Sequence, residues 1–236
     1  MIIMAFDSTA KIASVAVCED ERLLALYNID NGLTQSELLL PMAENILNAL
    51  HLSFKDIDLF TASVGPGSFT GVRIGAALVK GLAFKRNIPC VEVSTLEALA
   101  YNCYGIDGII VPVMDARRNQ VYTAIFESSK NGIERLTDDD AISLLALAEK
   151  LKQYKYKKIY LTGDGYEIAK AALINSGLEI ESTPPLLISE NAYSCAKVAF
   201  HEYQNSHFTD DISFSPTYLR LPQAERERLE KLNSTH

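Results

Sequence analysis

Between residues 63 and 75 the chain reads SVGPGSFTGVRIG, a proline and spaced glycines running into an apolar stretch. A glycine-rich loop that opens a helix can bind phosphate through backbone N–H groups, present a nucleophile, or simply turn and cap the chain. A phosphate-binding GxxxxGK[ST] loop needs a lysine and a hydroxyl after its last glycine. Here Val72 and Arg73 follow Gly71 instead. The dinucleotide fingerprint GxGxxG is missed by one residue, because Gly65, Gly67 and Gly71 give GxGxxxG. Ser68 lies between Gly67 and Phe69, so the GxSxG elbow is absent as well. Gly65, Gly67, Ser68 and Thr70 remain candidates for anion contact at a helix start. Capping by Ser68 or Thr70 is the plainer role.

Asp7 and Asp115 each follow an apolar run. In two-lobed phosphate-handling enzymes an acid so placed holds a metal, and a small turn beside it cradles phosphate. Asp7-Ser8-Thr9 allows a weak version of this, whereas Asp115-Ala116-Arg117-Arg118 sets bulk and charge where backbone would approach. Hairpin turns inherited by both halves are the simpler reading. The run Asp138-Asp139-Asp140 precedes an expected helix, where negative charge suits the dipole. His51, His201, His207 and His236 form no HxxH or HxxxH pair, so one helix cannot supply a two-histidine metal site. Cys18, Cys90, Cys103 and Cys195 show no CxxC spacing and sit in or beside apolar runs, as core thiols of a reducing compartment do.

With 48% hydrophobic residues over 236 positions, the chain can bury a sizeable core. A net charge of −8 lacks the basic balance of a lone nucleic-acid binder, so contact with nucleic acid is expected to go through a partner. The start MIIMAFDSTA has neither the basic residues nor the cleavage site of a signal peptide. No apolar run approaches membrane-spanning length, and a cytosolic protein with no membrane contact is expected.

The elements that must position these residues follow from periodicity. Residues 2–6, 12–18 and 22–28 read as strands, 36–50 as a helix, 58–64 as a strand entering the loop and 70–86 as a long helix. A strand at 89–93 and a helix from Ser94 to about 103 complete the first half. The order then begins again, with strands at 109–114, 120–127 and near 132–136 and a helix at 141–153. A strand at 157–163 and helices at 165–176 and 190–204 follow. MIIMAFDSTAKIASVAV parallels GIIVPVMDARRNQVYTAIF, and DLFTASVGPG parallels KKIYLTGDG. This weak internal duplication predicts two βββαβα lobes with a cleft between them. Residues 1–104 form the first lobe, 105–223 the second, and 224–236 a charged tail.

Two first-lobe helices carry apolar arcs of roughly 200° at 100° per residue, about twice what packing on one sheet requires. The excess is either buried deep in the same lobe or, the favoured expectation, covered by another subunit; under the family resemblance given below, Leu39, Met42, Ala43, Ile46, Gly71, Ile74, Gly75 and Leu78 are expected at that interface. Gly71 and Gly75 would admit a partner helix closely. Pro41 either begins the first of these helices or kinks it.

SVGPGSFTGVRIGAALVKGLA resembles the signature of the bacterial TsaB (YeaZ) family. MIIMAFDST, LLLP at 38–41, MDARRNQVY at 114–122 and PTYLRLPQAE at 216–225 fit that family in order. The chain departs from it at Thr34-Gln35-Ser36-Glu37, where a histidine is expected before the Ser-Glu pair. The resemblance implies two RNase H-like/actin-like lobes of the sugar kinase, Hsp70 and actin (ASKHA) superfold. It implies a non-catalytic, glycoprotease-like subunit that dimerises with a paralogue, TsaD, through the first-lobe helices. TsaD carries the HxxxH metal site and transfers threonylcarbamoyl to N6 of adenosine 37 in tRNAs reading ANN codons. A small ATPase, TsaE, joins the complex, and the subunit pairs with itself when alone. No cofactor is required by this subunit, and ATP or ADP is expected, if anywhere, at the subunit junction. The alternative is an independent ATP-dependent kinase or ATPase of the same superfold, using Asp7 and Gly163-Asp164-Gly165. A peptidase lacks the metal ligands and nucleophile it would need.

Overall fold

The computed structural model describes residues 1–220; the sequence-assigned tail 224–236 lies outside the described residues. The first lobe opens with an antiparallel meander of β1 (Ile2–Asp7), β2 (Ala13–Glu19) and β3 (Arg22–Ile29). Helix α1 (Gln35–Ala49) leads to β4 (Leu59–Gly65), which lies parallel to β1. Helix α2 (Phe69–Ala83), β5 (Cys90–Ser94) and α3 (Thr95–Tyr101) follow, and the sheet order is β3-β2-β1-β4-β5. Strands β1 and β4 are buried along nearly their whole length, which is why both read as continuous apolar runs rather than alternating ones. Helix α1 starts at Thr34, whose backbone N–H donates to Glu37 Oε2 at 3.0 Å in a capping box. It continues through Pro41, which lies on its exposed side.

The second lobe repeats this plan with breaks. It contains β6 (Gly108–Asp115), β7 (Gln120–Thr123), β8 (Phe126–Ser129), β9 (Gly132–Arg135) and β10 (Asp140–Ser143). Then come α4 (Leu144–Leu151), β11 (Ile159–Thr162), α5 (Tyr166–Asn175) and α6 (Ala192–Gln204). Val113 pairs with Thr123 and Ile110 with Phe126, so β7 and β8 share one register against β6 and are two halves of a single strand. The gap lies opposite Pro112, which has no N–H to donate. Thr123 Oγ1 donates to the Pro112 carbonyl at 2.7 Å, and Ile125 N donates to Thr137 Oγ1 at 2.9 Å, replacing the missing ladder bonds. Strands β9 and β10 pair with β8 and β7 in turn, and β11 runs parallel to β6 as β4 does to β1. The α/β fold is thus a duplication whose second copy has its second and third strands each broken once. Residues 141–143, expected to begin a helix, form a strand with Asp140; the cap of α4 is Ser143, accepting from Ala146 N at 3.1 Å, not the aspartate run.

The span 105–223 holds more than the second sheet. Helix α6 returns to the first lobe, packing Ala192, Cys195, Ala196, Val198 and Ala199 against Ile3, Ala5, Ala16 and Val91. A strap, residues 208–217, then crosses the same lobe. Thr209 exchanges backbone hydrogen bonds with Cys90 at 2.9 and 2.8 Å, and Phe214 is fully buried in the first-lobe core that also takes in α1 and α2. Lys80 Nζ of α2 holds the strap's carbonyls at Ile212 (2.6 Å) and Phe214 (2.8 Å).

The interface expectation needs correction. Leu39, Met42, Ala43 and Ile46 are buried in the chain's own core, under β1 and β2. Gly71 and Gly75 are buried against Ser8, not open to a partner helix: a Cβ at Gly71 would overlap the Ser8 carbonyl oxygen. Ile74 and Leu78 alone of the eight stay partly exposed. The centre of a wide apolar arc faces the sheet, and its margin is what reaches the surface. On these helices the surface carries Leu40, Ala77, Gly81 and Phe84, the last 60% exposed.

All four cysteines are buried and free. Burial pushes the thiols of Cys18, Cys103 and Cys195 up to about 12. No helix among the described residues is long and apolar enough to cross a membrane.

Candidate functional site

Between the lobes lies a cleft of about 510 Å³. The first lobe supplies Thr9, Ala10 and Lys11 from the β1–β2 turn, Gln35 from α1, and Pro66, Gly67, Ser68 and Phe69 from the glycine loop. The second supplies Asp115, Ala116 and Arg117 from the β6–β7 turn, with Tyr122 and Asp164. The segment Thr217–Arg220 closes one side. Four of the stretches that carry the family resemblance, around residues 9, 66, 115 and 217, therefore meet at one place.

The two Asp-led turns are built alike. Asp7 Oδ1 accepts from Thr9 N at 2.9 Å, and Asp115 Oδ1 accepts from Arg117 N at 2.7 Å. Each is an aspartate bonding its own backbone two residues on. Their surroundings differ. Asp7 is buried and does not line the cleft; it also accepts from Thr9 Oγ1 (2.7 Å) and Ser63 Oγ (2.6 Å). Burial pushes its carboxyl up, and these hydrogen bonds oppose that. Asp115 is exposed, and Arg117, Arg118 and Asn119 after it all take left-handed backbone, with φ of 66°, 55° and 57°. Successive non-glycine residues there are strained.

The glycine loop is spent largely on packing. Ser68 N donates to the Thr9 carbonyl at 2.7 Å, and Gly67 lies so close to Thr9 that a Cβ would strike its carbonyl oxygen. Ser68 Oγ accepts from Gly71 N at 3.2 Å and caps α2. Of the four loop candidates, Gly67 and Ser68 line the cleft, Gly65 abuts the Thr217 carbonyl instead, and Thr70 points to solvent outside it.

Charge in the cleft is mixed: Lys11, Arg117 and Arg220 face Asp115 and Asp164. Burial raises the Asp164 carboxyl; the Asp115 backbone N–H, at 3.0 Å, and the Lys11 and Arg117 charges pull it back. Arg73 stacks 3.8 Å from the Phe69 ring centroid and donates to Tyr218 Oη at 2.7 Å, tying the strap to α2. Arg220 Nη2 donates to the Ala141 carbonyl of β10 at 3.0 Å and so reaches the second lobe. Gln35, where the family pattern departs, donates to the Ala10 carbonyl at 2.8 Å and braces the first turn. No group of three or more His, Cys, Asp or Glu among the described residues could hold a metal ion.

Lys11 and Gln35 were not singled out in the sequence as site residues. For Tyr122, Tyr218 and Arg220 a signal existed, since they fall inside MDARRNQVY and PTYLRLPQAE.

Residues 34–226 match the family model described as TsaD: tRNA N6-adenosine threonylcarbamoyltransferase. The chain is 30% identical over 230 residues to the tRNA threonylcarbamoyladenosine biosynthesis protein TsaB of Bacillus subtilis, covering 98% of this chain and 99% of that one. It is 30% identical to the protein of the same name from Escherichia coli over 189 residues, 79% of this chain and 81% of that one. YeaZ from Pseudomonas aeruginosa has the same fold, with a TM-score of 0.73 at 20% identity over 92% of this chain and 99% of that one. A second Pseudomonas aeruginosa structure, described as an uncharacterized protein with similarity to peptidase YEAZ, gives 0.75 at 21% identity over 93% and 99%. The two-lobed α/β fold is shared with YeaZ, and the chain belongs to the TsaB family of tRNA threonylcarbamoyladenosine biosynthesis proteins.

Proposed function

We propose that this chain is a non-catalytic subunit that dimerises with a TsaD-type transferase in the cytoplasm and supports threonylcarbamoyl transfer to N6 of adenosine 37 in tRNAs reading ANN codons. The observation that carries this reading is the outward margin of α1 and α2. Ile74, Ala77, Leu78, Gly81 and Leu82 follow one another along α2, with Leu38 and Leu40 on α1, all partly or fully exposed. Small residues at 77 and 81 let a partner helix approach, and a Cβ at Gly81 would meet nothing within 4 Å. In this reading the same face serves a homodimer when the chain is alone, so homodimer and heterodimer compete. A TsaE-type ATPase joins the pair, tRNA is met only through the complex, and any ATP or ADP sits at the subunit junction.

The spent first turn supports the absence of chemistry in this subunit. With Asp7 buried and accepting three hydrogen bonds, no carboxylate at the end of β1 is offered to a metal–phosphate group.

The test is reconstitution of tRNA modification by the transferase with and without this chain, alongside the mass of the mixture. Strong stimulation and a mixed-subunit mass are expected. Gly81→Glu should leave stability within about 0.5 kcal/mol, as exposed substitutions do, yet abolish association and stimulation. Normal stimulation by that variant would refute the assigned face. A second reading, an ATP-dependent kinase or ATPase, draws on the cleft with its three basic side chains. Calorimetry with ATP and Mg²⁺ separates the two: tight binding by the chain alone, lost on Arg117→Ala, would favour it.

A further inference from the structure

We propose that Glu190 is a proton-binding site at the junction of the lobes, holding a proton at neutral pH and loosening the junction when that proton leaves. Glu190 lies where the chain passes from the second lobe back to the first. Just before it, the Ile188 carbonyl accepts from Thr162 Oγ1 at 2.9 Å and from the Gly163 backbone. Just after it, Ala192 N donates to Ser14 Oγ of β2 at 2.8 Å, and Asn191 Oδ1 caps α6 by accepting from Ser194 N at 3.0 Å. Asn102 of α3, a neutral side chain, holds the same segment through the Leu187 and Ser189 carbonyls, at 3.1 and 2.8 Å.

The carboxyl of Glu190 is 3% exposed, and its Oε1 has no hydrogen-bond partner. The charged groups acting on it are both acids: Asp7 from β1 and Asp164 from the turn after β11. Lys11 and Arg117 act on Asp164 from its cleft side, and the Cys195 thiol beside Asp7 stays protonated. An acid from each lobe thus opposes ionisation of Glu190. Asp7 accepts three hydrogen bonds and Asp164 accepts one from Asp115 N–H, whereas Oε1 of Glu190 accepts none. A buried carboxyl oxygen that no donor reaches favours the protonated form.

Burial, then the Asp7 charge, push the Glu190 carboxyl up to about 8, opposed by backbone N–H groups at 190 and 164. Its unfolded or solvated value is that of an ordinary glutamate, 4.5. The closed junction therefore keeps a proton that the opened one releases. The resulting stabilisation is complete below pH 4.5, falls as pH rises, and is gone above about 8. Within that window, opening should increase by up to about tenfold per pH unit.

Hydrogen exchange of the full chain between pH 5 and 9.5, corrected for hydroxide catalysis, tests this at the Gly163 and Ala192 amides. In the wild type their opening should rise through neutral pH and level off above about 8.5, while Glu190→Gln shows no such slope and Ala5 in the first sheet stays protected in both. Parallel slopes in wild type and variant would overturn the proposal. Should Glu190→Gln fail to fold, carboxyl-carbon NMR of glutamate-labelled wild type decides. One glutamate titrating above pH 7 is expected, and all titrating below 6 would sink it.

Discussion

The Asp-led turns of the two lobes share a backbone design and have opposite fates. In the first, Thr9 bonds back to Asp7, and the glycine loop presses onto Ser8 and Thr9 until the turn is part of the core. In the second, Arg117 bonds back to Asp115 in the same way, but the helix start at Gly165 touches only the base of the turn, and its tip stays exposed and winds left-handed beside the cleft. Duplication supplied one scaffold. Packing consumed one copy of the turn and left the other as surface. An acid at the end of a strand is therefore no sign of chemistry until its hydrogen-bond partners have been counted.

The largest expected effect lies on the packed side. Gly71→Ala puts a methyl into the Ser8 carbonyl and should lose at least about 3 kcal/mol in urea unfolding. At Gly165, the second-lobe counterpart of Gly67, a Cβ would stand 3.0 Å from the Val113 carbonyl, and Ala there should lose only about 1 kcal/mol. Equal losses would erase the distinction between the turns. Next come the acids themselves. Asp7→Asn turns an amide N–H₂ toward groups that donate, and should lose about 2–3 kcal/mol. Asp115→Asn, on an exposed turn, should stay within about 0.5 kcal/mol; a larger loss there would show that the second turn also carries structural weight. The smallest effect is a gain. Asn119→Gly relieves one left-handed residue and should stabilise by under about 1 kcal/mol, visible as a slightly raised melting temperature.

Much of this architecture was legible from local pattern. The strand–turn–strand openings of both halves, the Gly-x-Gly after β4 and β11 and the capping role of Ser68 all depend on neighbours within a few residues. What escaped depends on distant ones. The strap is one such neighbour of α2: Phe214 and the carbonyls held by Lys80 arrive more than 130 residues later. Periodicity gives the width of an arc and not what lies against it, so it does not tell the arc's buried centre from its exposed edge. Pro112 likewise splits β7 from β8 through a donor missing on a neighbouring strand. Glu190 carries no sequence signal, since its character comes from two acids brought to it by both lobes.

The return of α6 and the strap to the first sheet bears on how the chain is made. Synthesis runs from the N-terminus, and the first five strands emerge long before residues 192–217 do. Until then Ile3, Ala5, Ala16, Val91 and Val93 form an apolar sheet face without its lid. A nascent chain paused at the second lobe should hold that face open to chaperones, and a fragment ending near residue 104 should precipitate rather than fold. The lobe translated first is completed last, and the ribosome must release nearly the whole chain before either half of this molecule is finished.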